Sequence, residues 1–135
     1  EKKPIKIMIV DDACLMRVII SEILQTDPCF SIVYEAKNGI DALQNLKEHN
    51  PDVILLDIEM PEMNGISFLR HARKKTDAKI LVLSGVVGTG TCYAADAMRL
   101  GADGIIEKPS GTVSFDLKQK TGTKIIEKIY EMING

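Results

Sequence analysis

No hydrophobic run in this chain of 135 residues approaches the roughly 20 residues of a membrane-spanning helix, so bilayer insertion is excluded and a soluble, cytoplasmic protein is expected. Charge of either sign is not in excess. The net charge is -2 and the sequence pI about 5.7, so no overall basic field draws the chain to nucleic acid or anionic lipid. The basic tracts Lys2-Lys3 and Arg73-Lys74-Lys75 are short and read as solvated surface at a terminus and a helix end. The three cysteines Cys14, Cys29 and Cys92 are odd in number and lack metal-ligand spacing, which excludes a disulfide framework and implies unpaired thiols in a reducing compartment. The two histidines, His49 and His71, sit in polar helix-end contexts away from any strand end, which argues against a general base. No signal-peptide pattern opens the chain, and a start at Glu1 implies a processed or trimmed N-terminus.

What is present is an alternation of strand and helix. With 45% hydrophobic and 27% charged residues the composition is ordinary for a globular protein, and the length fits one domain over residues 1–135. Strands are expected at Ile5–Val10, Ser31–Ala36, Val53–Asp57, Ile80–Ser84 and Gly104–Glu107. Between them, Cys14–Gln25 carries Leu15, Val18, Ile19 and Ile23 at helical spacing, and Asn38-Gly39 opens a helix bearing Ile40, Leu43 and Leu46. Ile66–Arg73 is a short helix. A fourth helix carries Tyr93, Ala94, Ala97, Met98 and Leu100 and is closed by Gly101; a fifth carries Ile125, Ile126, Ile129, Met132 and Ile133. Five such units demand a parallel sheet with right-handed crossovers covering both faces, and five strands favour the flavodoxin-like doubly wound order 2-1-3-4-5.

The first, third and fifth strands end on acid: Val10-Asp11-Asp12, Leu56-Asp57 and Ile106-Glu107, the last followed by Lys108-Pro109. Ligands of open α/β sheets bind beyond the carboxyl ends of the strands, at the point where the order reverses, here between strands one and three. Asp11, Asp12 and Asp57 therefore share a crevice that Ser84 and Lys108 can close. Clustered carboxylates repel unless positive charge sits among them. An open, all-oxygen site suits Mg²⁺, and an aspartate left as nucleophile can accept a phosphoryl group as an acyl phosphate.

These residues resemble the receiver domains of two-component response regulators. The resemblance rests on Asp11-Asp12, on Leu56-Asp57-Ile58-Glu59-Met60-Pro61-Glu62-Met63-Asn64-Gly65, on Leu83-Ser84-Gly85, and on Leu100-Gly101-Ala102-Asp103-Gly104-Ile105-Ile106-Glu107-Lys108-Pro109. It implies that Asp57 is the phosphoacceptor, served by a histidine kinase or a small acyl phosphate. It also implies Mg²⁺ held by Asp12 and Asp57 directly, by Asp11 through water, and by the backbone carbonyl of Glu59. Ser84 would hydrogen-bond the phosphoryl group and Lys108 would pair with it, ahead of a cis Lys108-Pro109 bond.

Lys108-Pro109-Ser110-Gly111-Thr112-Val113-Ser114-Phe115-Asp116-Leu117 further resembles the receiver of the chemotaxis protein-glutamate methylesterase; the alternative is that Ser110-Gly111-Thr112 is simply a loop and Ser114 a helix N-cap. The resemblance implies a chemotaxis-type kinase as donor and an output surface that regulates the chain's own effector domain or other chemotaxis proteins. No hydrolase domain or Ser, His and Asp triad lies within residues 1–135, so ester cleavage would belong to a domain beyond Gly135. The alternatives are a stand-alone or transcriptional receiver, although no residue here supports DNA binding, and a metal-dependent phosphohydrolase with an aspartyl-phosphate intermediate. The latter usually carries its nucleophile as Asp-x-Asp on the first strand, unlike Asp11-Asp12-Ala13-Cys14.

Two features depart from the receiver pattern. Ile105 stands where the family commonly has an aromatic switch residue, which puts that switch in doubt. The run Gly85-Val86-Val87-Gly88-Thr89-Gly90 is unusually rich in glycine, implying a mobile loop that quietens on phosphorylation. A dinucleotide site there has the wrong spacing and follows the wrong strand. The Glu59 side chain is expected near the mouth of the acyl phosphate, where it either repels or orients the hydrolysing water and so changes the lifetime of the phosphorylated state, or is simply a solvent-facing loop acid.

Overall fold

The computed structural model describes residues 4–57, 65–84, 98–107 and 115–134. Five strands, β1 (Ile5–Val10), β2 (Phe30–Ala36), β3 (Val53–Asp57), β4 (Lys79–Ser84) and β5 (Gly104–Glu107), form one sheet in the order β2-β1-β3-β4-β5. Every neighbouring pair is parallel. The doubly wound order expected from the five-unit repeat is the order observed.

Four helices lie among the described residues: α1 (Cys14–Gln25), α2 (Gly39–His49), α3 (Gly65–Ala72) and α4 (Phe115–Asn134). Five were expected. The remaining one falls on residues outside those described except at its end, where Met98 and Arg99 are helical and Gly101 follows at a φ of 111°.

The strands are apolar without interruption because both faces of the sheet are covered. Met8, Val10, Ile54, Leu56, Ile80 and Val82 point to one layer, where they meet Ala42 and Leu46 of α2 and Phe68, Leu69 and Ala72 of α3. Their alternates Ile7, Ile9, Val53, Leu55, Leu81 and Leu83 meet Ile20, Ile23 and Leu24 of α1 and Ile125, Ile129 and Met132 of α4. A period of two with two buried faces gives continuous hydrophobic runs. Each Val, Leu, Ile, Met or Phe side chain buried in these layers contributes about 1.5–3 kcal/mol by leaving water.

The buried faces of two helices differ from expectation. Leu15 is 63% exposed and Val18 45%, while Ile20, Ile23 and Leu24 are the residues of α1 that turn inward. In α2, Ile40 is 44% exposed and Ala42 takes its place in the core beside Leu46. Both helices are apolar on more than one side, so spacing alone leaves the direction of the sheet undecided. The α2 boundaries follow local chemistry instead: Asn38 caps the start by accepting from the Asp41 amide at 2.7 Å, and Asn50 ends it in the left-handed region at a φ of 43°.

Candidate functional site

The strand register assembles the acids. Val10 pairs with Leu56, so Asp11 and Asp57 leave the sheet side by side at the switch point between β1 and β3. Asp57 pairs with Leu83, which brings the backbone of Ser84 one step further along the neighbouring strand. Ser84 in turn pairs with Glu107, the residue that immediately precedes Lys108 in the sequence.

Asp11, Asp12 and Asp57 each present a carboxylate oxygen, and the three oxygens lie within 4.8 Å of one another. Asp11 and Asp57 are buried, each 1% exposed, whereas Asp12 is open to solvent. Burial of two carboxylates so close to a third is electrostatically costly, and a cation between them relieves the repulsion. The donor set is all oxygen and one side faces water. Such a set fits a hard divalent ion that keeps part of its hydration shell.

Asp11 is fixed from three directions. Its amide donates to the Ala36 carbonyl at the end of β2 at 3.1 Å, and its Oδ1 accepts from the Ala13 amide at 2.8 Å. Its carbonyl accepts from the Arg17 guanidinium, Nη1 to O at 2.6 Å. Arg17 was not among the residues singled out in the sequence; the available signal was a cation on the first turn of the helix that follows an acid pair.

Of the remaining sequence-derived residues, Glu59 and Lys108 lie outside the described residues. So do the side chain of Ser84, the Lys108-Pro109 bond, the segment Ser110–Ser114 and the run Gly85–Gly90. Ile105 is half-buried against the layer that holds Val82, its partner across β4 and β5. Cys14 and Cys29 are exposed free thiols, and Cys92 lies outside the described residues. His49 stacks on Tyr34 with ring centroids 4.8 Å apart, and the His71 Nδ1 lies 2.8 Å from the Ser67 carbonyl, so both are engaged within their own neighbourhoods. Among the described residues no helix is long and apolar enough to cross a membrane.

Comparison with known proteins agrees with this geometry. The family model for the response regulator receiver domain matches residues 7–129. A protein-glutamate methylesterase/protein-glutamine glutaminase of Halalkalibacterium halodurans is 42% identical over 125 residues, covering 93% of this chain and 36% of the relative. The corresponding Thermotoga maritima protein is 35% identical over 96% of this chain and 38% of its own length. The chain therefore spans about a third of the length of these curated relatives. Among solved structures, the response regulator domain of Thermotoga maritima CheB superposes with a TM-score of 0.88 at 33% identity, covering 98% of both chains. A chain in the complex of the CheA3 P1 domain with CheY6 from R. sphaeroides gives 0.82 at 47% identity, covering 99% of this chain and 100% of that one. The acid crevice, the strand order and these likenesses agree: the chain belongs to the response regulator receiver domain family.

Proposed function

We propose that this receiver accepts a phosphoryl group on Asp57 from a chemotaxis-type histidine kinase, with Mg²⁺ held by Asp11, Asp12 and Asp57, and thereby switches an output surface that regulates a methylesterase domain. The observation that carries the reading is the meeting of three carboxylate oxygens within 4.8 Å at the sheet's switch point. An Asp57 carboxylate oxygen attacks phosphorus, the P–N bond of the donor phosphohistidine breaks, and the imidazole leaves with the electron pair. When bound, Mg²⁺ supplies positive charge to the transferring phosphoryl oxygens.

The chain's own residues do the positioning. Burial of Asp57 at the strand end fixes the nucleophile and limits water around it. Ser84 would donate its hydroxyl hydrogen to a phosphoryl oxygen, Lys108 would neutralise another, and the Glu59 carbonyl would join the acids in holding Mg²⁺. A small acyl phosphate serves as donor by the same attack, with a carboxylate as leaving group. Incubation with acetyl phosphate and Mg²⁺ should add one phosphoryl group to the intact mass. EDTA or Asp57→Asn should abolish the adduct, and its persistence in the variant would refute the assignment.

A second reading, a receiver acting without a methylesterase domain, draws on the 47% identity to the chain from the CheA3 and CheY6 complex, all of which this chain covers. The mass of the native protein in cell extract separates the two. A species near 14.9 kDa supports the stand-alone form, and one about three times larger supports the methylesterase parent.

A further inference from the structure

Arg17 lies beside the acid pair and engages the backbone carbonyl of its first member. It sits on the first turn of α1 and turns back toward the strand, donating Nη1 to the Asp11 carbonyl at 2.6 Å. That carbonyl belongs to the same planar peptide unit as the Asp12 amide. Rotation of this unit would swing the Asp12 carboxylate about the chain while Asp11 stayed anchored by Ala36 and Ala13. The opening of α1 supplies no substitute: Ala13 at the cap has no side-chain hydrogen bond, and the first turn holds no acid to engage the guanidinium.

We infer that Arg17 is a positioning residue for the cation site, setting the Asp11–Asp12 peptide plane so that the exposed Asp12 and the buried Asp11 and Asp57 face one ion. This rests on the reading of the site as a Mg²⁺ centre. A charge-assisted bond of this length is stronger than a neutral one, and the guanidinium's planar fork suits a fixed direction better than a flexible side chain does. The positive charge of Arg17 taken alone has the opposite effect, since a cation beside the crevice disfavours a second one. Position and charge therefore predict changes of opposite sign when Arg17 is neutralised.

The test is Mg²⁺ affinity measured by calorimetry on wild type, Arg17→Met, Arg17→Lys and, as a control for the site, Asp12→Asn. Backbone amide spectra of Asp12 and Ala13 are recorded alongside. Loss of an outer partner of a metal ligand typically weakens binding about ten-fold or more, so Arg17→Met should bind about ten-fold more weakly. Arg17→Lys should recover part of the loss, and the Asp12 and Ala13 amides should shift in the Met variant without metal. With acetyl phosphate as donor, Arg17→Met should need more Mg²⁺ for half-maximal phosphorylation while keeping its rate at saturating Mg²⁺. A fall in thermal midpoint with unchanged affinity would reduce Arg17 to a structural role and overturn the inference, as would tighter binding in Arg17→Met. Should Arg17→Met fail to fold, Arg17→Gln, which keeps donors on a shorter neutral stem, takes its place with the same expected loss. Wild type that binds no Mg²⁺, or Asp12→Asn that binds as well as wild type, would overturn the site reading and this inference with it.

Discussion

Asp27 and Tyr130 tie the α1–β2 turn to the last helix. The Tyr130 hydroxyl donates to Asp27 Oδ2 at 2.6 Å, the Cys29 amide donates to Oδ1 at 2.9 Å, and the Tyr130 ring lies 5.3 Å from that of Phe30. The hydroxyl donor, with the Cys29 amide, holds the Asp27 carboxyl below its ordinary value of 3.8; the carboxylate in turn pushes the Tyr130 hydroxyl well above its ordinary 10.0. A lowered carboxyl stabilises the fold above 3.8 and loses that contribution as pH falls through the depressed native value. A raised phenol stabilises it below 10.0 and loses that contribution as pH rises through the elevated native value. Tyr130→Phe should therefore cost about 1 kcal/mol near neutral pH, in line with one partly exposed hydrogen bond. Urea denaturation at several pH values should show the gap between wild type and variant shrinking below the ordinary carboxyl value and again above that of a free phenol. A gap that does not change with pH would mean that ring packing, not the hydrogen bond, ties the two segments together.

At the scale of elements, α4 owes its seat on α1 to a glycine. A Cβ at Gly122 would come within 3.1 Å of Ile23 Cγ2 and 3.3 Å of Cγ1. Ile23 is β-branched and buried in the core layer, so it gives way reluctantly. Alanine within a helix is ordinarily favoured over glycine by about 1 kcal/mol. Here an overpacking cost of about 2 kcal/mol, the middle of its usual range, outweighs that gain, so we expect Gly122→Ala to destabilise by about 1 kcal/mol net and to become stabilising in an Ile23→Ala background. Chemical denaturation of the two single variants and the double variant decides it, and additivity of the two would contradict the account. Such a contact is invisible in sequence, where Thr121-Gly122-Thr123 only weakens a helical pattern. The strands, by contrast, were legible because apolar runs ending on acid have few other uses: β1, β3 and β5 fall on the expected residues. The inward face of α1 was not, since Leu15, Val18, Ile19, Ile20, Ile23 and Leu24 encircle much of that helix and the choice is made by packing against β1 and α4. The acid triad was read from strand ends. Arg17 was not, because its role depends on a backbone carbonyl that no residue pattern marks.

For the molecule as a whole, the sheet holds three carboxylates together against their mutual repulsion, and stability should register it. Without metal, Asp57→Asn should raise the melting midpoint by relieving that repulsion. Ligand present at about 100 times its dissociation constant adds about 2.7 kcal/mol, which for a domain of this size is a rise of several degrees. Saturating Mg²⁺ should thus raise the wild-type midpoint by about that much and the Asp57→Asn midpoint by less. Equal shifts in both would place the metal elsewhere. The most direct test of the central claim is the position of the phosphoryl group itself. The protein is phosphorylated with acetyl phosphate and Mg²⁺, the acyl phosphate is reduced with borohydride, and the peptides are sequenced by mass spectrometry. The account predicts homoserine at position 57 and aspartate retained at 11 and 12. Homoserine at either of those positions, or at none, would contradict it.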